Sequence, residues 1–259
     1  MLFRSDVPSS GIPDVDWAVE TFGGFYVGQF EASRADAQPG GSDGSGATTG
    51  RSGTLKVARM CVPWTDLNWT QAVAACETYD PHCHLMTDAE WTALAVWATA
   101  AGFSVGGNDD SLQSVDRREL SFVQDPTGPV GRALTGSGGA PGLGLGFEAT
   151  THTGKPVGVA DLIGNVVEWT STVGRTAIGD RWIIGDRESG ACPQSGYVLT
   201  LDTDPEHRRL GLPGLTGGTG ERNLGSDFLA SMGTDRARCL RGGYWANQAQ
   251  AGWWQKIGR

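Results

Sequence analysis

The fold is decided by residues 84–102, which read HLMTDAEWTALAVWATAAG. Thr87 and Glu90 match a capping box, because the threonine can accept from the amide three residues on while the glutamate reaches back to the threonine amide. The apolar residues that follow recur with the period of a helix: Trp91, Leu94, Ala95 and Ala98. The stretch therefore predicts a helix that starts after Thr87, ends near Gly102 and buries one apolar face.

A second helix is predicted just upstream, over residues 70–79. Its inward residues are expected to be Val73, Ala74 and Cys76. Pro81 should end it, because proline lacks the amide that would continue the helix and disfavours helical geometry in the residue before it.

The start of the chain predicts a strand and a loop. Residues 22–31 read FGGFYVGQFE, and the alternating aromatic residues favour a strand that is buried on both faces. Residues 36–54 hold no large apolar residue and are rich in Gly, Ser, Asp and Thr, which predicts a surface loop. Two further short strands are predicted at residues 182–184 and 197–199.

Glycine and tryptophan are both abundant, with 40 Gly and 10 Trp among 259 residues. Glycine is thus about twice its ordinary share of roughly 7%, which predicts long loops. Ten tryptophans carry too much apolar surface to leave in water, so the chain should be ordered. We expect a loop-rich domain with few helices, which excludes helix bundles, coiled coils and collagen-like repeats.

Charge and hydropathy exclude two kinds of partner. Asp and Glu total 29 against 20 Lys and Arg, and the net charge of −9 repels phosphate, so we expect no nucleic-acid ligand. No run approaches the roughly 18 apolar residues of a membrane helix, so we expect no membrane span. Residues 1–6 lack the apolar core of a secretory signal, and the five cysteines show no repeated spacing. We therefore expect reduced thiols, with the location left open between the cytoplasm and a virion.

The sequence gives little support for a phosphate-binding loop, a zinc site or a nucleophilic triad. The glycine-rich run 136–146 lacks the flanking strand and helix that a phosphate-binding loop needs. Cys76 with residues 82–84 (His-Cys-His) forms one cluster, whereas zinc sites normally pair two. The simpler interpretation is a turn fixed by His84, with Cys76 packed inside. None of the four histidines lies in a recognisable nucleophile motif, so no residue is assigned a catalytic role.

A turn at residues 161–169 combines two acids with an asparagine and an aromatic residue. The acids are Asp161 and Glu168, and carboxylates with free carbonyls are what a calcium ion prefers. The alternative is a purely structural turn that is pinned by Asn165, with Trp169 buried beneath it.

The C-terminal segment, residues 238–259, is rich in aromatic and amide side chains. It contains one Tyr, three Trp, one Asn and three Gln, of which Gln255 lies near the end. Such residues combine rigid contact area with adaptable hydrogen bonding, as in binding loops. The alternative is a core strand whose tryptophans are buried.

Five blocks of the sequence together resemble a known family. In chain order they are residues 25–33 (FYVGQFEAS), the Pro-Trp and Asn-Trp pairs within 63–69, residues 84–91 (HLMTDAEW), 158–169 (GVADLIGNVVEW) and 240–245 (LRGGYW). They resemble the formylglycine-generating-enzyme/sulfatase-modifying domain, a variant of the C-type lectin fold. Within that family, the chain is most similar to the variable proteins of diversity-generating retroelements.

The resemblance implies an α+β fold of the C-type lectin kind, as a single domain over residues 1–259. It implies two helices, small antiparallel sheets and many long loops. The enzymes of the family use a pair of cysteines after an Arg-Gly-Gly motif, and residues 244–259 contain none. Because a thiolate carries that chemistry, we expect a non-enzymatic protein. The alternative is a divergent enzyme of the formylglycine-generating or iron-dependent sulfoxide-synthase type.

In the retroelement proteins, the stretch after Arg-Gly-Gly is a ligand-binding surface that adenine-directed mutagenesis diversifies. Carried over to this chain, segment 238–259 would bind varied protein or cell-surface ligands. The scaffold of the site would be Arg241, Gly242, Gly243 and Trp245. The presented, variable positions would be Tyr244, Ala246, Asn247, Gln248, Gln250 and Trp254.

The resemblance also implies a structural calcium ion, because enzyme members of the family build a calcium site at the matching turn. The ligands would be Asp161 and Glu168 through their side chains, and Gly164 and Val166 through their backbone carbonyls. No other cofactor is expected.

Overall fold

Helices and small antiparallel sheets alternate along the chain in the computed structural model. The helices are α1 (Pro13–Phe22), α2 (Trp69–Tyr79), α3 (Asp88–Ala100) and α4 (Pro205–Arg209). The strands are β1 (Ala32–Arg34), β2 (Leu55–Val57), β3 (Glu168–Thr176), β4 (Trp182–Ile184), β5 (Arg187–Glu188) and β6 (Arg236–Arg241). The structure describes residues 9–22, 24–39, 53–100, 134–137, 148, 151–162, 165–166, 168–176, 182–184, 187–188, 205–209 and 236–241. The mixture confirms the α+β class.

The strands form two separate antiparallel sheets. Strands β1 and β2 pair with each other, and the second sheet has the order β5-β4-β3-β6. Strand β3 is central to the larger sheet and pairs with both β4 and β6. Its pairing with β6 shifts register between Trp169 and Val173, as at a β-bulge. The strand that was predicted at residues 182–184 is confirmed as β4.

The main core lies between α1 and α3. It buries apolar residues of α1 (Val15 and Val19) against α3 (Trp91, Leu94 and Trp97). Val159 and Leu162 join the same cluster from the stretch before β3, so the turn that carries the candidate calcium ligands is attached to this core.

Helix α3 confirms the capping box. The hydroxyl Oγ1 of Thr87 accepts the Glu90 N–H at 3.1 Å, and Glu90 Oε2 accepts the Thr87 N–H at 2.7 Å. Trp91 and Leu94 are buried as the period predicts. Ala93 and Trp97 are buried as well, so the apolar face is wider than the predicted stripe. Gly102 and the side chains of Ala95 and Ala98 lie outside the described residues.

Helix α2 is confirmed, but its predicted inward face is wrong. The buried residues are Ala72 and Ala75, whereas Ala74 is exposed and Val73 only partly buried. Packing decides the face, because the small side chain of Ala75 packs directly against the buried Leu55 and Trp64. Cys76 packs beside that cluster as expected.

Helix α1 overturns the expectation of two helices, and α4 adds a fourth among the described residues. Pro13 occupies its first position, where the missing amide is not needed. The Asp16 carboxylate accepts the backbone N–H groups of Ser10 at 2.7 Å and Gly11 at 3.1 Å, which holds the chain as it enters the helix. The four-residue spacing of its two buried valines was the helical signal that the sequence carried.

The strand predicted at residues 22–31 is also wrong. Phe22 is the last residue of α1, and Tyr26 is 80% exposed, so the segment is not buried on both faces. Gly24 has a φ of 123°, which takes the backbone out of the extended conformation. The first strand begins only at Ala32.

Other predictions fall partly or wholly outside the described residues. In the loop predicted at 36–54, Asp36 and Gln38 are exposed, while Ala37 is buried against Cys61. Residues 40–52 of that loop, and the strand predicted at 197–199, are outside the described part. Within the described part, no helix is long and apolar enough to cross a membrane.

Replacing Thr87 with alanine should lower the free energy of unfolding by about 1 kcal/mol, because the Glu90 amide loses its acceptor at the start of α3. The change is measured by urea denaturation followed by circular dichroism. Thr78→Ala is the matched control, since Thr78 is exposed on α2 and caps no helix. Equal losses in the two variants would contradict the capping role.

Candidate functional site

The last residue of β6, Arg241, is completely buried and paired. Its Nε atom donates to Asp88 Oδ1 at 2.5 Å, and its Nη2 atom donates to Thr92 Oγ1 at 2.7 Å. All three side chains have no exposed surface. A buried guanidinium is tolerated only when it is paired and hydrogen-bonded, so this geometry ties the end of β6 to the first turns of α3.

The same end of α3 is tied to β3. The Asp88 N–H donates to Thr172 Oγ1 at 2.9 Å, and the Ser171 N–H donates to the Met86 carbonyl at 2.9 Å. Asp88 therefore links β3 through its amide and β6 through its carboxylate. The chain leaves β6 at a point that both α3 and β3 hold.

Two tryptophans connect the start of α2 to β3. Trp69 Nε1 donates to the Thr170 carbonyl at 2.8 Å, and Trp169 Nε1 donates to the Leu67 carbonyl at 2.8 Å. The two hydrogen bonds therefore run in opposite directions between the same pair of segments. Trp169 is only partly buried, whereas the structural interpretation of its turn predicted a buried side chain.

Strand register brings the two predicted sites together. Glu168 is the cross-strand partner of Arg241, and Trp169 is the partner of Leu240. The turn that carries the candidate calcium ligands and the Arg-Gly-Gly motif of the predicted ligand-binding segment, which begins at Arg241, therefore lie at the same end of the sheet.

Three acidic side chains interact at the turn before β3: Glu31, Asp161 and Glu168. Glu31 Oε2 accepts Asn165 Nδ2 at 2.5 Å, and its Oε1 accepts the Val166 N–H at 3.4 Å. Asp161 Oδ2 accepts the Gly136 N–H at 2.6 Å. Asn165 is 2% exposed, so it pins the turn as the structural interpretation predicted, with Glu31 as its partner.

Burial of these carboxyl groups makes their ionised forms unfavourable. Burial raises the pKa of Asp161 to about 6, although the Gly136 N–H and the charge of Arg59 oppose the shift. The pKa of Glu31 is raised by burial and by the charges of Asp161 and Glu168. The pKa of Glu168 is raised for the same two reasons, burial and the charge of Asp161.

The carboxylate oxygens of these three acids are the kind of ligand that a hard cation prefers, but they are not arranged as a preformed metal site. Glu168 Oε2 is shielded from solvent and has no hydrogen-bond partner. A cation would satisfy that oxygen and offset the repulsion among the acids. Across the described ranges, however, no three His, Cys, Asp or Glu side chains converge as metal ligands. Two of the three acids already accept hydrogen bonds from the protein.

The backbone at this turn adopts an uncommon conformation. Asp161 and Asn165 both have positive φ angles, 61° and 60°. Side chains other than glycine adopt this region rarely, and Asp and Asn tolerate it best because their short polar groups bond locally. At both positions the sequence therefore has one of the residue types, other than glycine, that best tolerate this conformation.

The remaining predicted site residues lie outside the described part of the chain. They are Gly164, Gly242, Gly243, Tyr244, Trp245, Ala246, Asn247, Gln248, Gln250 and Trp254. Of the predicted scaffold, Arg241 is described; of the predicted calcium ligands, Asp161, Val166 and Glu168 are.

Sequence reasoning missed three residues that hold these sites: Glu31, Asp88 and Thr92. Glu31 and Asp88 fall inside the blocks that carry the family resemblance, which was the available signal. Thr92 carries no signal, because a threonine inside an apolar helix is ordinarily only a weak helix former.

His152 is a packed, neutral histidine. It is 3% exposed, and its Nδ1 atom accepts the Val159 N–H at 3.0 Å, so the neutral ring carries its proton on Nε2. Burial lowers the pKa of His152 to about 4.

No protein-family model matches this sequence, and no curated protein matches it.

Acidification should destabilise the protein through His152. Because its folded pKa lies below the ordinary value of 6.5, the stabilisation is present above pH 6.5 and is lost as pH falls towards 4. Between pH 7.5 and pH 5, this group should account for a loss of about 2 kcal/mol in the free energy of unfolding. Urea denaturation of the wild type and of His152→Asn at both pH values measures it as the difference between their pH slopes. Asn keeps an acceptor near Nδ1 but does not titrate, whereas the raised pKa values of Glu31, Asp161 and Glu168 act in the opposite direction in both proteins. Equal pH slopes in the two proteins would contradict the assignment.

Replacing Asp88 with asparagine should lower the free energy of unfolding by about 3–5 kcal/mol, because it leaves the Arg241 charge buried without a counter-charge. Asp36→Asn is the matched control. It removes the same charge from the Arg34–Asp36 pair, in which the Asp36 side chain is 55% exposed, and should cost less than about 1 kcal/mol. Guanidinium denaturation of both variants gives the comparison. Similar losses in the two would show that the buried pair does not anchor β6.

Proposed function

We propose that this chain is a non-enzymatic ligand-binding protein with a C-type lectin fold of the formylglycine-generating-enzyme type. Its ligand surface is segment 238–259, diversified as in the variable proteins of diversity-generating retroelements. The observation that carries the proposal is the buried pairing of Arg241, the residue that opens the Arg-Gly-Gly motif. It supplies a rigid base for the chain that follows.

A diversified surface needs such a base. Side chains that vary from copy to copy cannot themselves be required for folding, so stability has to come from residues outside the varied positions. Arg241, Asp88 and Thr92 meet that requirement, because they are buried and bonded to each other. Their bonds lie upstream of all six proposed variable positions.

The residue types of the segment suit a protein or cell-surface ligand. Tyrosine and tryptophan supply large rigid contact areas with little loss of conformational freedom, while asparagine and glutamine adapt their hydrogen bonds to different partners. The net charge of −9 disfavours nucleic acid as the ligand.

Comparison of this gene with its sibling genes, or with a nearby template repeat, tests the diversification. Differences should concentrate at adenine positions of codons 244–256, while the codons for Arg241, Gly242, Gly243 and Trp245 stay unchanged. Sequencing of the locus provides the measurement. The codons for residues 84–91 serve as the control, because they encode scaffold. Differences spread evenly over the gene, or not confined to adenines, would overturn the proposal.

We also propose that the turn before β3 holds a structural calcium ion through Asp161, Glu168 and the carbonyls of Gly164 and Val166. The supporting observation is Glu168 Oε2, a shielded carboxylate oxygen with no hydrogen-bond partner. Calcium would add its positive charge to that of Arg59 beside three mutually repelling acids.

Calorimetric titration of the chelator-treated protein with calcium chloride tests this site. Wild-type protein should bind one calcium ion, and Glu168→Gln should weaken that binding at least tenfold because it removes one charged ligand. Glu77→Gln is the matched control, since Glu77 is exposed on α2. Absence of calcium binding by the wild type would mean that bound protons, favoured by the raised pKa values, relieve the repulsion instead.

A further inference from the structure

Two cysteine thiols meet at the end of α2, outside the two sites described above. Cys76 lies in the last turns of the helix, and Cys83 lies in the connection to α3. Both are free and partly buried, and the thiol of Cys83 lies beside that of Cys76.

The end of α2 is what brings them together. In an unbroken helix, seven residues rise about 10.5 Å, whereas a disulfide needs Cα atoms within about 7 Å. The chain leaves the helix at Asp80, which is extended (φ −157°, ψ 138°) as the residue before Pro81 requires. The Asp80 N–H donates to the Cys76 carbonyl at 3.3 Å, and the Cys83 N–H donates to the Asp80 carbonyl at 2.9 Å. These bonds fold Cys83 back over the last turn of the helix.

The pair lacks what a metal site needs. His82 and His84 are exposed, and His84 Nε2 contacts Glu90 Oε1 at 3.1 Å. No group of three or more potential ligand side chains forms in the part of the chain that the structure describes. Two adjacent thiols without further ligands have the chemistry of a dithiol, which loses two electrons to become a disulfide.

The Cys76 thiol is poorly suited to react first. Burial raises the pKa of Cys76 to about 12, and the Cys83 thiol and the charge of Glu77 add to the shift. Because the thiolate is the nucleophile, Cys76 is a poor first attacker. Attack on an external disulfide therefore begins at Cys83.

We propose that Cys76 and Cys83 form a redox-active pair that low-molecular-weight disulfides, such as oxidised glutathione, convert to an intramolecular disulfide. Cys83 loses its proton to solvent and attacks one sulfur of the oxidant. The oxidant's disulfide breaks, and one reduced glutathione leaves. Cys76 then loses its proton and attacks the Cys83 sulfur, which releases the second glutathione. Two thiols are oxidised, one oxidant disulfide is reduced, and two molecules of reduced glutathione take up the two protons.

The new bond would restrain the connection between two helices. It closes a short loop from the last turns of α2 to the residue before His84, just upstream of the Thr87 cap of α3. Removing conformations from the unfolded chain raises stability, so the oxidised protein should melt about 5 °C higher than the reduced protein.

Oxidation of the full-length protein in graded mixtures of oxidised and reduced glutathione tests the proposal. Remaining thiols are alkylated, and the chain is cleaved at Glu77 and Asp80, which separates the two cysteines. Mass mapping should find a Cys76–Cys83 cross-link that has lost two hydrogen atoms, preceded by a glutathione adduct at Cys83. This mapping uses the wild-type protein, so it does not depend on whether any variant folds.

Cysteine variants separate the first attack from the formation of the disulfide. Cys76→Ser should stop at the glutathione adduct on Cys83, and Cys83→Ser should form neither the adduct at this site nor the more stable oxidised form. Cys61→Ser is the matched control, because Cys61 is a buried free cysteine that packs elsewhere, and it should leave the cross-link intact. Two results would overturn the proposal: both thiols still alkylated after incubation with oxidised glutathione alone, or Cys83 linked to a different cysteine.

Discussion

The buried charge of Arg241 is the constraint on which the arrangement of the larger sheet depends. A guanidinium with no exposed surface must find an anion and hydrogen-bond acceptors. Asp88 and Thr92 provide them for Nε and Nη2, while Nη1 is buried without a hydrogen-bond partner. Because Asp88 also donates its amide to Thr172 of β3, one residue coordinates the start of α3 with two neighbouring strands. The proposed variable surface would therefore begin next to a residue that burial holds in place.

The acidic turn before β3 also buries ionisable side chains, but there they carry charges of the same sign. Burial there leaves like charges together, and the raised pKa values of Glu31, Asp161 and Glu168 reflect their unfavourable ionisation. Asn165 and the Gly136 amide relieve two of the acids through hydrogen bonds, while one oxygen of Glu168 is left without a partner. Cross-strand pairing of Glu168 with Arg241 places this strained turn next to the anchor of β6. The proposed calcium site and ligand segment therefore share one end of the sheet.

Local sequence patterns predict the secondary structure correctly where a single physical requirement dominates. The capping box at Thr87 and the proline after α2 act within a few residues, so the sequence predicted both helices. The prediction of a strand at residues 22–31 was wrong, because the alternation of aromatic residues carries no information about the positive φ of Gly24. The prediction of the inward face of α2 was wrong for a different reason. Leu55 and Trp64 approach the helix from other parts of the chain, and the small Ala75 packs against them rather than the larger Val73.

The resemblance of the sequence to a known family implied the α+β class. The sequence by itself determined the helix over residues 70–79, the helix that follows Thr87, and the residue types at the acidic turn. These last three depend on contacts within one or two helical turns, or on side chains that tolerate a positive φ. Only the tertiary structure decided that Glu31 partners Asn165, that Asp88 and Thr92 hold Arg241, and that Cys83 folds back onto Cys76. The first two contacts join residues more than a hundred positions apart, and the third requires the helix to end where it does. Burial and strand register, which no local pattern encodes, determine which of these groups meet.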